Sequence, residues 1–131
     1  MIALKEARKV IAAAEKKAIE IRQPRNIMVV DRGGNLVSHV RMDGAWIGSM
    51  DISMNKAFTS RTFDILRRDL AQHSQAGGQF FEIHASNHGP VMFFAGGIPL
   101  KRDARIVRAV GVSGGSGKQD YTVEEAGAKA F

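Results

Sequence analysis

The chain has 131 residues, 44% of them hydrophobic, and a net charge of +6. We expect a single domain over residues 1–131 with a true hydrophobic core. The absence of cysteine excludes disulfides, thiol catalysis and Cys-ligated zinc. No apolar run reaches the about 18 residues of a membrane span, so we expect no membrane contact and a cytoplasmic location.

The positive charge bears on the class of partner. Basic side chains are scattered along the sequence and do not alternate with aromatic residues, as they would in a stacking surface for nucleic acids. Nucleic-acid binding is therefore not expected. A small anionic ligand is the partner class that the basic surface favours.

In the first half of the chain we predict a helix, a hairpin and a second helix. Apolar residues at helical spacing predict a helix at about residues 4–22, and Pro24 ends it. Residues 26–31 and 36–42 are predicted strands, joined by a turn that contains two glycines. The second helix is predicted at about residues 47–63.

Two faces of the second helix differ in polarity. We predict that the more apolar stripe faces the core and that a small, polar face lies beside it. The predicted buried stripe consists of Ile47, Met50, Met54, Ala57, Phe58 and Arg61. The small, polar face consists of Ser49, Ser53, Lys56 and Ser60.

The second half is predicted to supply further strands and a closing helix. A weaker helix at 65–73 precedes residues 79–84, which fit either a helix or a strand. Strands are predicted at 91–95 and 105–112, and a helix at 123–131. Short hairpins and grouped helices indicate an α+β protein with an antiparallel sheet.

A glycine-rich loop at residues 113–118 follows the last predicted strand. Loops of this kind often hold phosphates, because free backbone N–H groups point outward there. The P-loop pattern is broken, however, since Val112 stands at the first glycine position and Gln119 at the hydroxyl position. We therefore predict a flexible turn between a strand and a helix.

Four histidines are the candidate metal ligands. His84 and His88 are four residues apart, but residues 87–90 include Gly-Pro and cannot continue a helix. No zinc site or other metal site is therefore predicted. Haem needs only one axial imidazole in an apolar pocket, and His39, His84, His88 and the methionines all qualify, so the choice among them stays open.

Several blocks of sequence occur together in the order that is typical of one family. The blocks are Val29-Val30-Asp31-x-x-Gly34-x-Leu36-Val37, Arg41-Met42-Asp43-Gly44, Lys56-Ala57, Gly96-Gly97-x-Pro99, and Gly111-Val112-Ser113-Gly114-Gly115 followed by Asp120. The set resembles the GlcG/HbpS haem-binding and haem-degrading domain-like family. That family includes the C-terminal domains of PduO-type corrinoid adenosyltransferases, and the resemblance covers nearly the whole chain.

The resemblance implies a profilin-like α+β fold, with a five-stranded antiparallel sheet and helices on both sides. It also implies homo-oligomers built from dimers, with tetramers or octamers as further states. Some relatives bind haem, and others are linked to corrinoid, diol or glycolate metabolism. We therefore expect a small ligand-binding protein for haem or a related tetrapyrrole. The alternative is an enzyme or accessory subunit that acts on a small anionic metabolite in such a catabolic pathway.

Each function has its own set of candidate residues. The residues predicted to bind a cofactor are His39, Arg41, Lys56, His88 and Ser113. Those predicted to bind a small anionic substrate are Arg41, Asp43, Lys56, Gly97, Ser113 and Gly114. The chain departs from the family pattern at Arg108, which replaces a glycine, and at Asn35, which replaces a frequent histidine. Arg108 would either close a groove or pair with an acidic ligand.

Overall fold

The computed structural model describes residues 3–62 and 97–131. These residues form three helices and one antiparallel sheet of four strands, which confirms the α+β prediction. The elements are α1 (Ala3–Glu20), β1 (Asn26–Val30), β2 (Leu36–Arg41), α2 (Gly48–Thr62), β3 (Ile98–Arg102), β4 (Arg105–Ser113) and α3 (Gly117–Lys129). The segments predicted at 65–73, 79–84 and 91–95 lie outside the described residues. The five-stranded, profilin-like form of the sheet stays a prediction.

The strands are arranged in the order β2-β1-β4-β3. Strand β1 therefore pairs on both sides, and Asn26 lies opposite Arg41 of β2 and Ser113 of β4. All five residues of β1 are buried. Because neighbouring strands are about 4.8 Å apart, Arg41 and Ser113 lie in one row of the sheet, roughly 10 Å from each other.

Helices α1 and α3 cover one face of the sheet. Ile27 and Val29 of β1 join the core formed by these two helices. The helices approach each other closely at Gly127, where an added Cβ would lie 3.0 Å from Val10 O and 3.2 Å from Ala14 Cβ. The buried residues of α1 recur at helical spacing, as the sequence predicted. They are Ala7, Val10, Ile11, Ala14 and Ala18.

Helix α2 covers the other face, and its predicted orientation is only partly correct. Of the predicted stripe, Ala57 is buried and Met54 packs beside it. The small, polar side faces the sheet, whereas the predicted core residue Ile47 is 74% exposed. The cause is a close approach of backbones: an added Cβ on Gly111 of β4 would lie 2.2 Å from Ser53 O and 2.5 Å from Ala57 N. Only short side chains fit at such a distance. The residues of α2 that are buried are Ser49, Ser53, Lys56, Ala57, Thr59 and Ser60.

Two boundaries in the second half differ from the sequence prediction. Strand β3 was not predicted, since Pro99 interrupts its apolar pattern; within the described sheet it is an edge strand, where proline is tolerated. Helix α3 begins at Gly117, six residues earlier than expected. A capping box explains the early start, because Ser116 Oγ accepts from Gln119 N–H at 3.2 Å and Gln119 Oε1 accepts from Ser116 N–H at 3.0 Å. Within the described ranges, every helix is too short or too polar to cross a membrane.

Candidate functional site

The glycine-rich loop after β4 is pressed against Arg25, which immediately precedes β1. An added Cβ on Gly114 would lie 2.5 Å from Pro24 O, and one on Gly115 would lie 2.0 Å from Arg25 Nη1. Gly114 also has a φ of 153°, which side chains rarely tolerate. The flexible turn predicted from the sequence is therefore a closely packed loop, and its glycines make room for a buried guanidinium.

Beneath this loop lies a group of four buried charged residues, Arg25, Lys56, Asp120 and Glu124, here called the charged cluster. Asp120 is at its centre: Oδ1 is 3.2 Å from Arg25 Nη1, and Oδ2 is 2.9 Å from Lys56 Nζ. Lys56 Nζ also donates to the carbonyl of Val112 at 2.8 Å. Each cluster residue is at most 2% exposed, so the ion pairs are shielded from solvent.

Glu124 is the fourth member, and both of its carboxyl oxygens accept backbone hydrogen bonds. Val112 N–H donates to Oε1 at 2.8 Å, and Gly97 N–H donates to Oε2. Complete burial raises the pKa of Glu124 to about 8, although the Lys56 ammonium and the two N–H groups favour the charged form. Glu124 is therefore mostly protonated at neutral pH, and the charged cluster carries two cations and one carboxylate.

The hydrogen-bonding capacity of the Arg25 guanidinium is incompletely used. Its side chain is fully buried, and Nε, Nη1 and Nη2 have no hydrogen-bond acceptor among the described residues. Burial lowers the pKa of Arg25 and the Asp120 carboxylate raises it, but a guanidinium stays charged in proteins. The charged cluster thus has one positive charge in excess at neutral pH.

A cavity of about 290 Å³, here called the loop pocket, opens above the charged cluster. It lies between the start of α2 and the glycine-rich loop. Its lining residues are Trp46, Ser49, Ile52, Lys56, Ser113, Gly114, Gly115, Gly117 and Asp120. The structure thus brings together three of the residues singled out in the sequence, namely Lys56, Ser113 and Gly114.

The other predicted site residues lie elsewhere. Arg41 and Asp43 are exposed and do not line the loop pocket, although Arg41 shares a row of the sheet with Ser113. Gly97 is buried and reaches the charged cluster only through its N–H group on Glu124. His88 lies outside the described residues.

His39 is half-buried on β2 and hydrogen-bonded to Asn26. Asn26 Nδ2 donates to Trp46 O at 3.0 Å, so its Oδ1, which lies 3.0 Å from His39 Nε2, is the acceptor of that contact. This assigns the proton to Nε2 and leaves the lone pair on Nδ1. Burial and the nearby Arg41 lower the pKa of His39. A neutral imidazole whose other nitrogen is held by the protein is the form that binds metals.

Arg108, where the chain departs from the family pattern, forms an ion pair within the chain, although its buried Nε has no hydrogen-bond partner among the described residues. Its side chain is buried in β4, and Nη2 donates to Glu6 Oε2 of α1 at 2.7 Å. Arg102 binds the other oxygen of the same carboxylate. Together the two guanidinium groups hold the pKa of Glu6 below its usual range. The acid that pairs with Arg108 is thus Glu6 of the chain itself. The two expected roles, closing a groove or pairing with an acidic ligand, stay predictions.

Sequence reasoning missed Arg25, Glu124 and the central role of Asp120. In the sequence, Asp120 stands out only as the residue that follows the last family block, and no site role is predicted for it. One signal was available, because Asp120 and Glu124 are four residues apart and therefore share a face of a helix. The burial of that face follows only from the early start of α3.

The family model described as "Haem degrading protein HbpS-like" matches residues 2–129. The chain belongs to the HbpS-like family. It is 36% identical over 130 residues to a 15.0 kDa protein of the dhaT-dhaS intergenic region in Citrobacter freundii, which covers 99% of this chain and 92% of that relative. The resemblance stated from the sequence blocks is thereby confirmed.

Two further proteins that are similar to this chain have a tetrapyrrole in their names. The corrinoid adenosyltransferase PduO of Citrobacter freundii is 28% identical over 95% of this chain, which spans only 37% of that protein. A solved structure of a PduOC:heme complex has a TM-score of 0.93 at 26% identity and covers 97% of this chain and 92% of PduOC. The backbones of the two proteins are therefore closely similar.

Proposed function

We propose that this HbpS-like protein binds haem or a related tetrapyrrole. The observation that carries the proposal is the close similarity to PduOC, whose structure was solved with heme. Membership of the family supports the same ligand class.

The residues around His39 fit a haem. Nδ1 of His39 is a candidate axial ligand, and Arg41, two residues along the same strand, offers an exposed cation for a propionate. Trp46 and Ile47 are 66% and 74% exposed and give the macrocycle an apolar surface to cover. The loop pocket does not suit the macrocycle, because 290 Å³ is at the lower end of the roughly 300–1,000 Å³ range of ligand sites.

Each of these residues would have a distinct task. Asn26 holds Nε2–H of His39 and so fixes the orientation of the ring. Trp46 is tied to the same asparagine through its carbonyl oxygen and would help to exclude water. Bound haem would supply a redox-active iron whose potential depends on the axial ligand and on burial. His88 remains a second proposed axial ligand.

Haemin titration followed by absorbance tests the proposal. We expect a saturable shift of the Soret band in the wild-type protein, and a changed band position and weaker binding in His39→Ala. His73→Ala serves as the matched control, since His73 is the one histidine not among the candidate axial ligands, and it should behave like the wild type. If the Soret shift is lost in His88→Ala and kept in His39→Ala, the axial ligand is His88. A wild-type protein without any saturable Soret shift would overturn haem binding.

A role in corrinoid-linked catabolism is the second candidate, favoured by the similarity to PduO over 95% of this chain. The protein would then act as an accessory protein that binds a corrinoid. Titration with hydroxocobalamin under the same conditions distinguishes the two ligands, because only the preferred macrocycle should saturate the protein at micromolar concentration. Binding of haemin alone would exclude this second role.

We also propose that the protein is a homo-oligomer in the cytoplasm. The adjacent exposed side chains of Trp46 and Ile47 support self-association, since exposed apolar patches often form interfaces. Light scattering coupled to size-exclusion chromatography would give the mass of the particle. A monomer at micromolar concentration would contradict this part of the proposal.

A further inference from the structure

We propose that the loop pocket binds the carboxylate of a small organic acid, which contacts Lys56, Ser113 and the first residues of α3. This site goes beyond haem binding, since it is built from other residues and is too small for a macrocycle. Trp46 borders both places. The proposal rests on three observations: the charge, the available donors and the size of the cavity.

The charge beneath the loop pocket is unbalanced. Arg25 and Lys56 contribute two positive charges, and the ionised Asp120 contributes one negative charge. The protonated Glu124 adds none at neutral pH. Because these groups are buried, their field is weakly screened. A single negative charge in the pocket would restore neutrality.

The incomplete hydrogen bonding of Arg25 is a second observation, independent of the charge count. Nη1 forms the ion pair with Asp120 Oδ1, but Nε and Nη2 lack hydrogen-bond acceptors in the described part of the chain. The guanidinium lies directly under Gly115, which lines the pocket, as the 2.0 Å between an added Cβ and Nη1 shows. A buried donor without an acceptor is costly, and a nearby anion would partly offset that cost.

The pocket offers its own donors to an anion. Lys56 and Ser113 line it, and so does Gly117, the first residue of α3. The N–H group of Gln119 is already taken by Ser116 Oγ, whereas the N–H groups of the first helical residues have no partner within the helix. The positive end of the helix dipole adds to the attraction.

The size and lining of the cavity favour a small monocarboxylate. About 290 Å³ holds an acid of a few carbon atoms. Ile52 and Trp46 supply an apolar wall for the carbon chain of the acid, and Ser49 supplies a hydroxyl group. A doubly charged anion, such as hydrogen phosphate or succinate, would overcompensate the single excess charge.

The carboxylate has two chemically equivalent sources: a free acid or a propionate of a haem bound beside Trp46. The only tryptophan in the chain is Trp46, so its fluorescence reports on this pocket directly. The probes are sodium acetate and sodium lactate, titrated at pH 7 with the ionic strength held constant by sodium chloride. Succinate and sulfate are the dianion controls.

We expect a saturable change in Trp46 fluorescence with acetate and lactate, and at least roughly tenfold weaker binding of both dianions. Lys56→Gln should weaken acetate binding by about tenfold or more, since it removes a charged donor. Lys16→Gln removes the same charge from an exposed site on α1 and should leave the affinity within about twofold. If Lys56→Gln does not fold, Ser113→Ala decides, with an expected loss of about three- to tenfold.

A second arm separates the two sources. If haemin and acetate compete for the protein, the carboxylate site takes a propionate; if both bind together, it takes a free acid. Absence of saturation, or equal weakening by Lys16→Gln and by both pocket variants, would overturn the carboxylate site. The Soret shift is measured independently, so failure of this site leaves the haem proposal intact and the reverse also holds.

Discussion

Lys56 of α2 and Asp120 of α3 form a buried ion pair of 2.9 Å between helices that cover opposite faces of the sheet. The pair lies at the C-terminal end of β4, where Lys56 also binds Val112 O and Asp120 accepts from Gly115 N–H at 3.1 Å. It therefore connects both helical layers, the last strand and the glycine-rich loop.

Removal of one partner of this pair should be strongly destabilising. In Lys56→Met, Oδ1 of Asp120 keeps its contacts with Arg25 and Gly115 N–H, but the buried Oδ2 loses its charged partner. We expect a loss of about 3–5 kcal/mol in the free energy of unfolding, measured by urea denaturation. Lys17→Met breaks the exposed pair with Glu20 and should cost less than about 1 kcal/mol. Equal losses in both variants would contradict the importance of the buried pair.

Gly111 should tolerate no side chain, because α2 lies directly on it. Gly111→Ala would place a Cβ 2.2 Å from Ser53 O and 2.5 Å from Ala57 N, so α2 must move. We expect a loss of about 1–3 kcal/mol or more, as for overpacked cores. Gly48→Ala is the matched control. Gly48 is the first residue of α2, the helix that packs on Gly111, and an added Cβ there would have no atom within 4 Å. That variant should be neutral or stabilised by up to about 1 kcal/mol. A neutral Gly111→Ala would mean that the helix is not held at this distance.

Glu124 should make the protein less stable as the pH rises. Its pKa in the folded state is about 8, above the usual value of about 4.3 in the unfolded chain. Between these two values the folded state binds more protons than the unfolded state. The free energy of unfolding therefore decreases with increasing pH, by at most about 1.4 kcal/mol per pH unit from this group, and levels off above pH 8. The charged groups that act on Glu124 are Lys56, which favours its ionised form, and Asp120, which disfavours it.

Urea denaturation between pH 5.5 and 9 measures this dependence. Glu124→Gln should remove the contribution, although the variant is less stable, since an amide can accept only one of the two backbone hydrogen bonds. Glu125→Gln changes the exposed neighbouring carboxylate and should keep the wild-type slope. The same slope in Glu124→Gln and in the wild type would show that Glu124 is ionised in the folded state at neutral pH.

Much of the fold could be predicted because local patterns determine it. Helical spacing located α1 within two residues at each end, and the two-glycine turn located the β1–β2 hairpin. The burial of the small, polar face of α2 could not be predicted, because it depends on the contact with Gly111, which is distant in sequence. Helix α3 was placed too late because its capping box lies in a stretch rich in glycine.

The candidate site was predictable only in part, for a similar reason. Family resemblance selected Lys56 and Ser113, which the structure places around one pocket. Arg25 and Glu124 were missed because charged residues are usually exposed, and only the tertiary structure buries them together. Their burial also gives the pocket its excess charge, which no local pattern contains.

The excess charge leads to a last prediction: carboxylate binding in the loop pocket should weaken as the pH rises through about 8. Ionisation of Glu124 would bring the charged cluster from +1 to zero. One unit charge at roughly 10 Å in a medium of dielectric constant about 20 contributes on the order of 1.5 kcal/mol, or about tenfold in affinity. By linkage, bound carboxylate should raise the pKa of Glu124 further. Acetate affinities from Trp46 fluorescence at pH 6.5 and pH 9 measure the effect, and Glu125→Gln should retain it. An acetate affinity that is independent of pH would show that the protonation state of Glu124 does not affect binding in the loop pocket.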